Sequence, residues 1–388
     1  MPYNRSPVAA TTRHTTAAVS VAVPANPTKG FNGTNGTNGV HGIGTHAKLK
    51  VLQIGGPVKY SLESYNVFSS RFEVIHLSTS ERQRPALITG LRDRKWGDFS
   101  AIFRPSWGSG GEMGRWDSEL ISLLPPSCRV FASAGSGFDW ADTKLLGERG
   151  IIYCNSGPAA ADAVADFAVA LTVSTFRHLQ WCITASPDAT TFQDCHGRIA
   201  PFSHNLRGRA LGIIGFGNIG KQIAQRLGAG FGMIIHYHNL NRKDPATEAL
   251  YGATFHPTLK SLLSISDCVV LCIPGGQCII TAESLAWFKP GARFVNIARG
   301  SLVDEDALAD ALESGHLSNV ALDVHMDEPR PSPRLLKLSG TRATLTCHNA
   351  GCTVETHASF EELSMRNIMA VLSGKQSISP VNLHYLKK

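Results

Sequence analysis

The stretch from Leu211 to Gly220, LeuGlyIleIleGlyPheGlyAsnIleGly, limits the possible fold more than any other part of the chain. Leu211, Ile213 and Ile214 form a short apolar run that reads as a buried strand, and Gly215-x-Gly217-x-x-Gly220 follows without a gap. Gly215 permits a tight turn, Gly217 lets backbone approach a pyrophosphate, and Gly220 lets the next helix pack against the strand. That helix, expected over about Ile219–Phe231, opens with Asn218 and Ile219. Its first turn presents unpaired N–H groups and the positive end of a dipole, which suits phosphate. Met233–His238 reads as a second strand. The result is a βαβ unit, and a dinucleotide site is the expectation.

The same alternation runs along most of the chain. Residues 48–54, 72–77, 99–103, 129–133 and 151–154 read as short strands, with amphipathic stretches such as Trp116–Leu124 between them. A helical stretch over Ala159–Leu179 leads to the fingerprint strand, and further strands are expected at Cys268–Ile273, Arg293–Ile297, Asn319–Asp323 and Thr341–Thr346. A last helix over about Glu355–Leu372 ends before Gly374. Strand–helix alternation of this kind gives α/β, doubly wound parallel sheets. At 388 residues two such domains are expected, the first from residues 48–157 with 350–388, the second, dinucleotide-binding, from 158–349. The active site is then expected in the cleft between them.

Residues 1–47 read as a disordered tail. They lack Asp and Glu, are rich in Thr, Ala and Pro, and end in an Asn-Gly-Thr repeat, so they cannot bury a core. A transit peptide is the minority alternative. The chain is 43% hydrophobic and 17% charged, and no apolar run approaches the roughly 20 residues that span a bilayer, so no membrane is expected. The net charge of +7 is scattered, which argues against nucleic acid and fits an anionic cofactor and acidic substrates. Nine cysteines without CxxC pairs suggest a reducing, cytoplasmic location. Cys347, His348 and Cys352 lack an evident fourth ligand, so no metal is expected.

Beyond the fingerprint, three stretches begin at the carboxyl ends of expected strands, where open α/β sheets place ligands. They are ValAsnIleAlaArgGlySer with Ala298 and Arg299, AlaLeuAspValHisMetAspGluPro with Asp323 and Glu328, and LeuThrCysHisAsnAlaGly with His348. Any one of these residues alone would pass for a cap, a loop charge or a structural histidine. Together, Arg supplies planar donors to a carboxylate, and His beside a carboxylate can hold and give a proton. That is what reduction of a 2-keto acid needs.

These stretches, with LysProGlyAlaArgPheValAsnIleAlaArgGly at 289–300, resemble the D-2-hydroxyacid dehydrogenase family over about residues 48–385. TrpGlyAspPheSerAlaIle (96–102), SerAlaGlySerGlyPheAspTrp (133–140) and AspValHis (323–325) resemble its fungal branch, which includes yeast D-mandelate dehydrogenase. The resemblance implies a flavodoxin-like substrate domain beside a Rossmann domain, and a homodimer formed through the latter. It implies that Arg299 binds substrate, His348 is the acid/base, Glu328 is its partner and Asp323 meets the nicotinamide carboxamide. It matches Ser136 and Gly137 to the loop that holds the substrate carboxylate, and Pro274 to the cofactor side. The family usually has Pro before the histidine and a Gly-rich turn after it. Here Cys347 and Asn349 stand there, so a shifted orientation of His348 is expected. Arg104, in Arg104-Pro-Ser-Trp107, is either a second anion contact or a surface residue.

The cofactor is expected to be NADP in preference to NAD. An acid about 20 residues past the glycines accepts both ribose hydroxyls of NAD and repels a 2′-phosphate. The turn after HisTyrHis holds neutral Asn239 instead, with Arg242 and Lys243 following, although Asp244 could serve the ribose. The expected activity is reduction of a small-molecule keto acid, such as glyoxylate, benzoylformate or phenylpyruvate. The alternatives are a dinucleotide-sensing corepressor of the same superfamily, or a reductase dedicated to one pathway.

Overall fold

The computed structural model describes residues 47–106 and 111–386. The tail expectation for residues before 47, and Trp107, lie outside that range. Two parallel sheets carry the fold. The first consists of β1 (Lys50–Gln53), β2 (Glu73–His76), β3 (Ala101–Arg104), β4 (Val130–Ser133) and β5 (Ile152–Cys154), in the order β2-β1-β3-β4-β5. The second consists of β6 (Ala210–Ile214), β7 (Ile234–His238), β8 (Ala253–Phe255), β9 (Cys268–Leu271), β10 (Ala292–Asn296), β11 (Leu317–Leu322) and β12 (Ala343–Leu345), in the order β12-β11-β10-β9-β6-β7-β8. Every strand expected from the sequence is present, with ends shifted by about two residues or fewer. The short edge strand β8 was not expected, nor were the helices Leu179–Ala185 and Ala189–Arg198.

In the second sheet the winding reverses between β6 and β9, which pair in register at Ile213↔Val270 and Ile214↔Leu271. The carboxyl ends of these two strands therefore flank a crevice, the place where such sheets bind ligands.

Four helices position the site: α1 (Ala161–Arg177), α2 (Asn218–Ala224), α3 (Pro245–Tyr251) and α4 (Val354–Leu372). Ala165, Ala168 and Leu171 of α1 pack with Leu211, Ile213, Val270, Val295 and Ala321 from the second sheet. Trimming a fully buried member such as Ile213 to alanine costs about 2–5 kcal/mol. With its preceding turn, α1 spans Gly157–Arg177 and is, among the described residues, the one helix long and apolar enough to cross a membrane. Asp162 and Asp166 hide this length in the sequence. Both meet Arg226, at 3.1 and 2.6 Å, and 56% of the most apolar window is buried inside the protein.

The helix expected to run to Phe231 leaves α geometry at Ala224 and continues as a π-helical segment, Gln225–Gly230. The last helix, α4, returns the chain to the first sheet, where Met365, Ile368 and Val371 pack with Val51, Ala101, Phe103 and Val130. From α4 the buried Glu361 carboxylate accepts the N–H groups of Lys59, Tyr60 and Ser61, each at 2.8 Å. It thereby fixes the turn that leads into the helix Leu62–Arg71, which has no side-chain cap.

Candidate active site

A cavity of about 370 Å³ collects the carboxyl ends of strands from both sheets. Gly217, Asn218 and Ile219 line it, as do Pro274, Arg299, Asp323, His348, Ser136 and Gly137. Most of the residues singled out in the sequence therefore meet in one place.

The glycine turn is shaped by the neighbouring strand. Gly215 has φ +102°, and a Cβ there would stand 2.8 Å from the Cys272 carbonyl oxygen, so only glycine fits. Cys272 is bound to the same turn, its N–H to the Ile214 oxygen at 2.9 Å and its thiol to the Gly215 oxygen at 2.9 Å. Burial pushes that thiol up to about 12, so it stays neutral. A Cβ on Gly220 would fall 2.2 Å from the Gly215 oxygen, whereas one on Gly217 would meet nothing within 4 Å. Backbone N–H groups at the start of α2 thus border open cavity where an anion can approach, and the residues fit a dinucleotide phosphate.

The ribose turn is more committed than its sequence suggests. Asn239 Oδ1 accepts the Phe216 N–H at 2.7 Å, which joins the end of β7 to the glycine turn. Arg242 forks onto Glu248, with Nε–Oε1 2.9 Å and Nη2–Oε2 2.8 Å, and lies over Phe255. The Arg242 hydrogen bond and the Tyr237 hydroxyl hold the Glu248 carboxyl down to about 2. Asp244 caps α3 by accepting the Thr247 N–H at 2.8 Å, so it is engaged away from a ribose.

Arg299 leaves β10 in extended conformation and reaches the loop after β4. Its Nη1 donates to the Ala298 oxygen at 2.7 Å and its Nε to Asp139 Oδ1 at 3.2 Å. A Cβ on Gly137 would stand 1.4 Å from Arg299 Nη2, so the guanidinium lies directly on that glycine. Ser136 is fixed beside it, its carbonyl accepting Asn155 Nδ2 at 2.8 Å. Ala298 itself is buried and does not line the cavity; its N–H donates to Asn296 Oδ1 at 2.9 Å. Arg104 is also absent from the lining. It is buried within the first sheet's layers, 3.3 Å from Ser133 Oγ and 4.7 Å above the Trp140 ring. The surface alternative weighed for it is corrected: its stem and head pack in the interior against the aromatic ring.

His348 Nδ1 stands 2.9 Å from Glu328 Oε2. Burial would raise the Glu328 carboxyl, but hydrogen bonds from His348 and from the His325 N–H outweigh it and leave the group below its ordinary range. His348 has φ +57°, a left-handed conformation that costs an L-residue about 1–2 kcal/mol. Asp323 holds this turn. Its carbonyl accepts the His348 N–H at 2.7 Å, and its carboxylate accepts the N–H groups of Asn349 and Ala350, each at 2.9 Å, and the Thr346 hydroxyl at 2.7 Å. Asp323 lines the cavity, but both of its carboxylate oxygens already serve the histidine loop.

Sequence reasoning passed over Asp139, Asn296 and Cys272. Asp139 lies within the quoted SerAlaGlySerGlyPheAspTrp stretch, two places past Gly137, where its carboxylate was the available signal. Asn296 shapes the turn into Arg299 by accepting the Ala298 N–H and donating to the Arg299 carbonyl at 3.0 Å. An Asn ending a strand is a turn signal of its own. Cys272 carries no such mark.

Two parallel-sheet layers with a glycine-lined crevice and a His–Glu pair opposite an Arg define a dinucleotide-dependent oxidoreductase. A family model described as D-isomer specific 2-hydroxyacid dehydrogenase, NAD binding domain, matches residues 169–350. A glyoxylate reductase from Thermococcus kodakarensis is 35% identical over 281 residues, 70% of this chain and 82% of that protein. The apo crystal structure of Rhodotorula graminis D-mandelate dehydrogenase matches with TM-score 0.81 and 38% identity, over 86% of this chain and 98% of that one. An NADPH-dependent glyoxylate/hydroxypyruvate reductase from Sinorhizobium meliloti, in complex with NADP and malonate, matches with TM-score 0.72 and 28% identity, over 88% and 99%. The chain belongs to the D-isomer specific 2-hydroxyacid dehydrogenases. It is an oxidoreductase of the 2-keto acid reductase type, with NAD or NADP as its cofactor.

Proposed function

We propose that this enzyme reduces glyoxylate or an aromatic 2-keto acid, such as benzoylformate or phenylpyruvate, to the D-2-hydroxy acid, with NADPH preferred. The observation that carries this reading is the meeting on one cavity of Arg299, the glycine turn at Ser136–Gly137 and His348, which Glu328 backs at 2.9 Å. Arg299 Nη2, lying on Gly137, offers planar donors to the carboxylate and carbonyl oxygen of the keto acid. Backbone N–H groups of the Ser136–Gly137 turn complete the anion cradle. Gly217, Asn218 and Ile219 would hold a nicotinamide dinucleotide, which when bound would supply the hydride. His348, with Nδ1 on the Glu328 carboxylate, delivers the proton from Nε2 to the carbonyl oxygen. Glu328 stabilises the protonated imidazole and fixes its ring. An aromatic side chain would find Phe138 and Phe360 on the cavity wall. The preference for NADPH rests on Asn239 in place of an acid and on Asp244 being used as a helix cap.

Oxidation of NADPH and NADH against a panel of glyoxylate, benzoylformate and phenylpyruvate tests this directly. Turnover with at least one is expected, and His348→Ala lowers it by roughly 10²–10⁴-fold, the usual worth of a general acid. No turnover on any of them would favour the dedicated-enzyme reading, and near-normal turnover of His348→Ala would end the assignment of the proton donor.

A further inference from the structure

The loop after β4 carries a carboxylate whose place beside Arg299 needs a reason. Asp139 lies on the cavity wall with its side chain 57% exposed, and its Oδ1 accepts Arg299 Nε at 3.2 Å. An ion pair so exposed contributes little to stability. An acid placed next to a substrate-binding arginine also competes with the substrate's own charge, so its use must be geometric. Arg299 has two protein anchors: Nη1 is on the Ala298 oxygen and Nε on Asp139. A flat guanidinium held at two of its nitrogens cannot turn about its stem, and its Nη2 edge is left toward the cavity over Gly137. The first anchor comes from the same strand end as Arg299, and the second comes from the other sheet. The loop bearing Asp139 is itself fixed without that side chain, through Trp140 Nε1 on the Gly137 oxygen at 3.3 Å and the Ala141 N–H on the Phe138 oxygen at 3.0 Å.

We propose that Asp139 is a positioning residue, which sets the plane of the Arg299 guanidinium for the keto acid by accepting from Nε across the cleft. The inference rests on Arg299 as the substrate anchor. Asp139→Ala raises the KM for the keto acid and lowers kcat, together about ten- to thirtyfold in kcat/KM, as expected for loss of a charge-assisted hydrogen bond at a partly exposed site. The KM for the dinucleotide and the melting temperature stay as they were, because the loop holds itself. Asp139→Asn keeps an oxygen acceptor for Nε and recovers most of the loss. In an Arg299→Lys background, which has no Nε–H, Asp139→Ala adds little further loss. Three results would overturn the proposal: an Asp139→Ala enzyme within twofold of wild type, an Asp139→Asn enzyme as impaired as Asp139→Ala, or additive losses in the double variant. Failure of the underlying reading looks different, since Arg299→Ala would then leave the keto-acid KM unchanged whatever Asp139 does.

Discussion

Replacing Asp323 should damage the protein in a way that a cofactor contact would not. The side chain is 1% exposed, and its carboxylate accepts the N–H groups of Asn349 and Ala350 and the Thr346 hydroxyl. In Asp323→Ala the Ala350 N–H is left buried without an acceptor, a loss of about 1–3 kcal/mol. Water can reach the exposed Asn349, and the Thr346 hydroxyl can turn to the Leu322 carbonyl, so these two add less. Freeing the left-handed His348 from its carboxylate-held loop brings the total to roughly 2–4 kcal/mol. For a chain of this size that is a fall of roughly 2–5 °C in melting temperature. Asp323→Asn should do nearly as badly, because its NH₂ must face an N–H that has no lone pair to offer. Thermal unfolding with and without dinucleotide, together with kcat on the best keto acid, decides the matter. An Asp323→Asn protein with wild-type melting temperature and kcat, and only a raised dinucleotide KM, would refute this reasoning and make Asp323 a cofactor contact alone.

Gly137→Ala places a methyl 1.4 Å from the present position of Arg299 Nη2, so the guanidinium must move. A displacement of that size should lower keto-acid kcat/KM by about 10–100-fold while leaving the dinucleotide KM alone, a split that steady-state kinetics reads. The Glu328 carboxyl lies below its ordinary range, so its support of His348 is complete above about pH 4.3 and is lost only as pH falls through the lowered value. The kcat profile for reduction should therefore show no Glu328 limb between about pH 5 and 8, and Glu328→Gln, which removes the carboxylate that supports the imidazolium, should lower kcat increasingly as pH rises through that window, by up to roughly 10–100-fold. Arg242→Ala should cut the NADPH-to-NADH ratio of catalytic efficiencies about tenfold, the value of one charged contact. An unchanged ratio would mean that Glu248 keeps Arg242 from the phosphate.

The strand positions and the grouping of the fingerprint, Arg299, Glu328 and His348 at strand ends were legible because each rests on local signals. Apolar runs mark the strands, glycines mark the tight turn, and polar residues at strand ends mark a ligand face. What was not legible depends on partners far away in sequence. Nothing near Arg104 says that it will lie over Trp140. The Arg299–Asp139 contact spans 160 residues. The helix α1 was legible, but not that Arg226, some 60 residues on, would donate to both of its acids, Asp162 and Asp166. The strand β8 is too short to show a period at all.

The histidine loop shows how long-range contacts can make local sequence less important. The residues on either side of His348, Cys347 and Asn349, depart from the pattern that the resemblance led us to expect, and a shifted imidazole was the expectation. Yet Nδ1 meets Glu328 at 2.9 Å. What fixes the turn is the backbone: the N–H groups of residues 348, 349 and 350 all end on Asp323, the first on its carbonyl and the others on its carboxylate. Backbone N–H groups are the same in every residue but proline, so the side chains at 347 and 349 have little say in the conformation. Both are exposed. Geometry at His348 is thus set by one buried acid at β11's carboxyl end, which leaves the flanking positions free to vary.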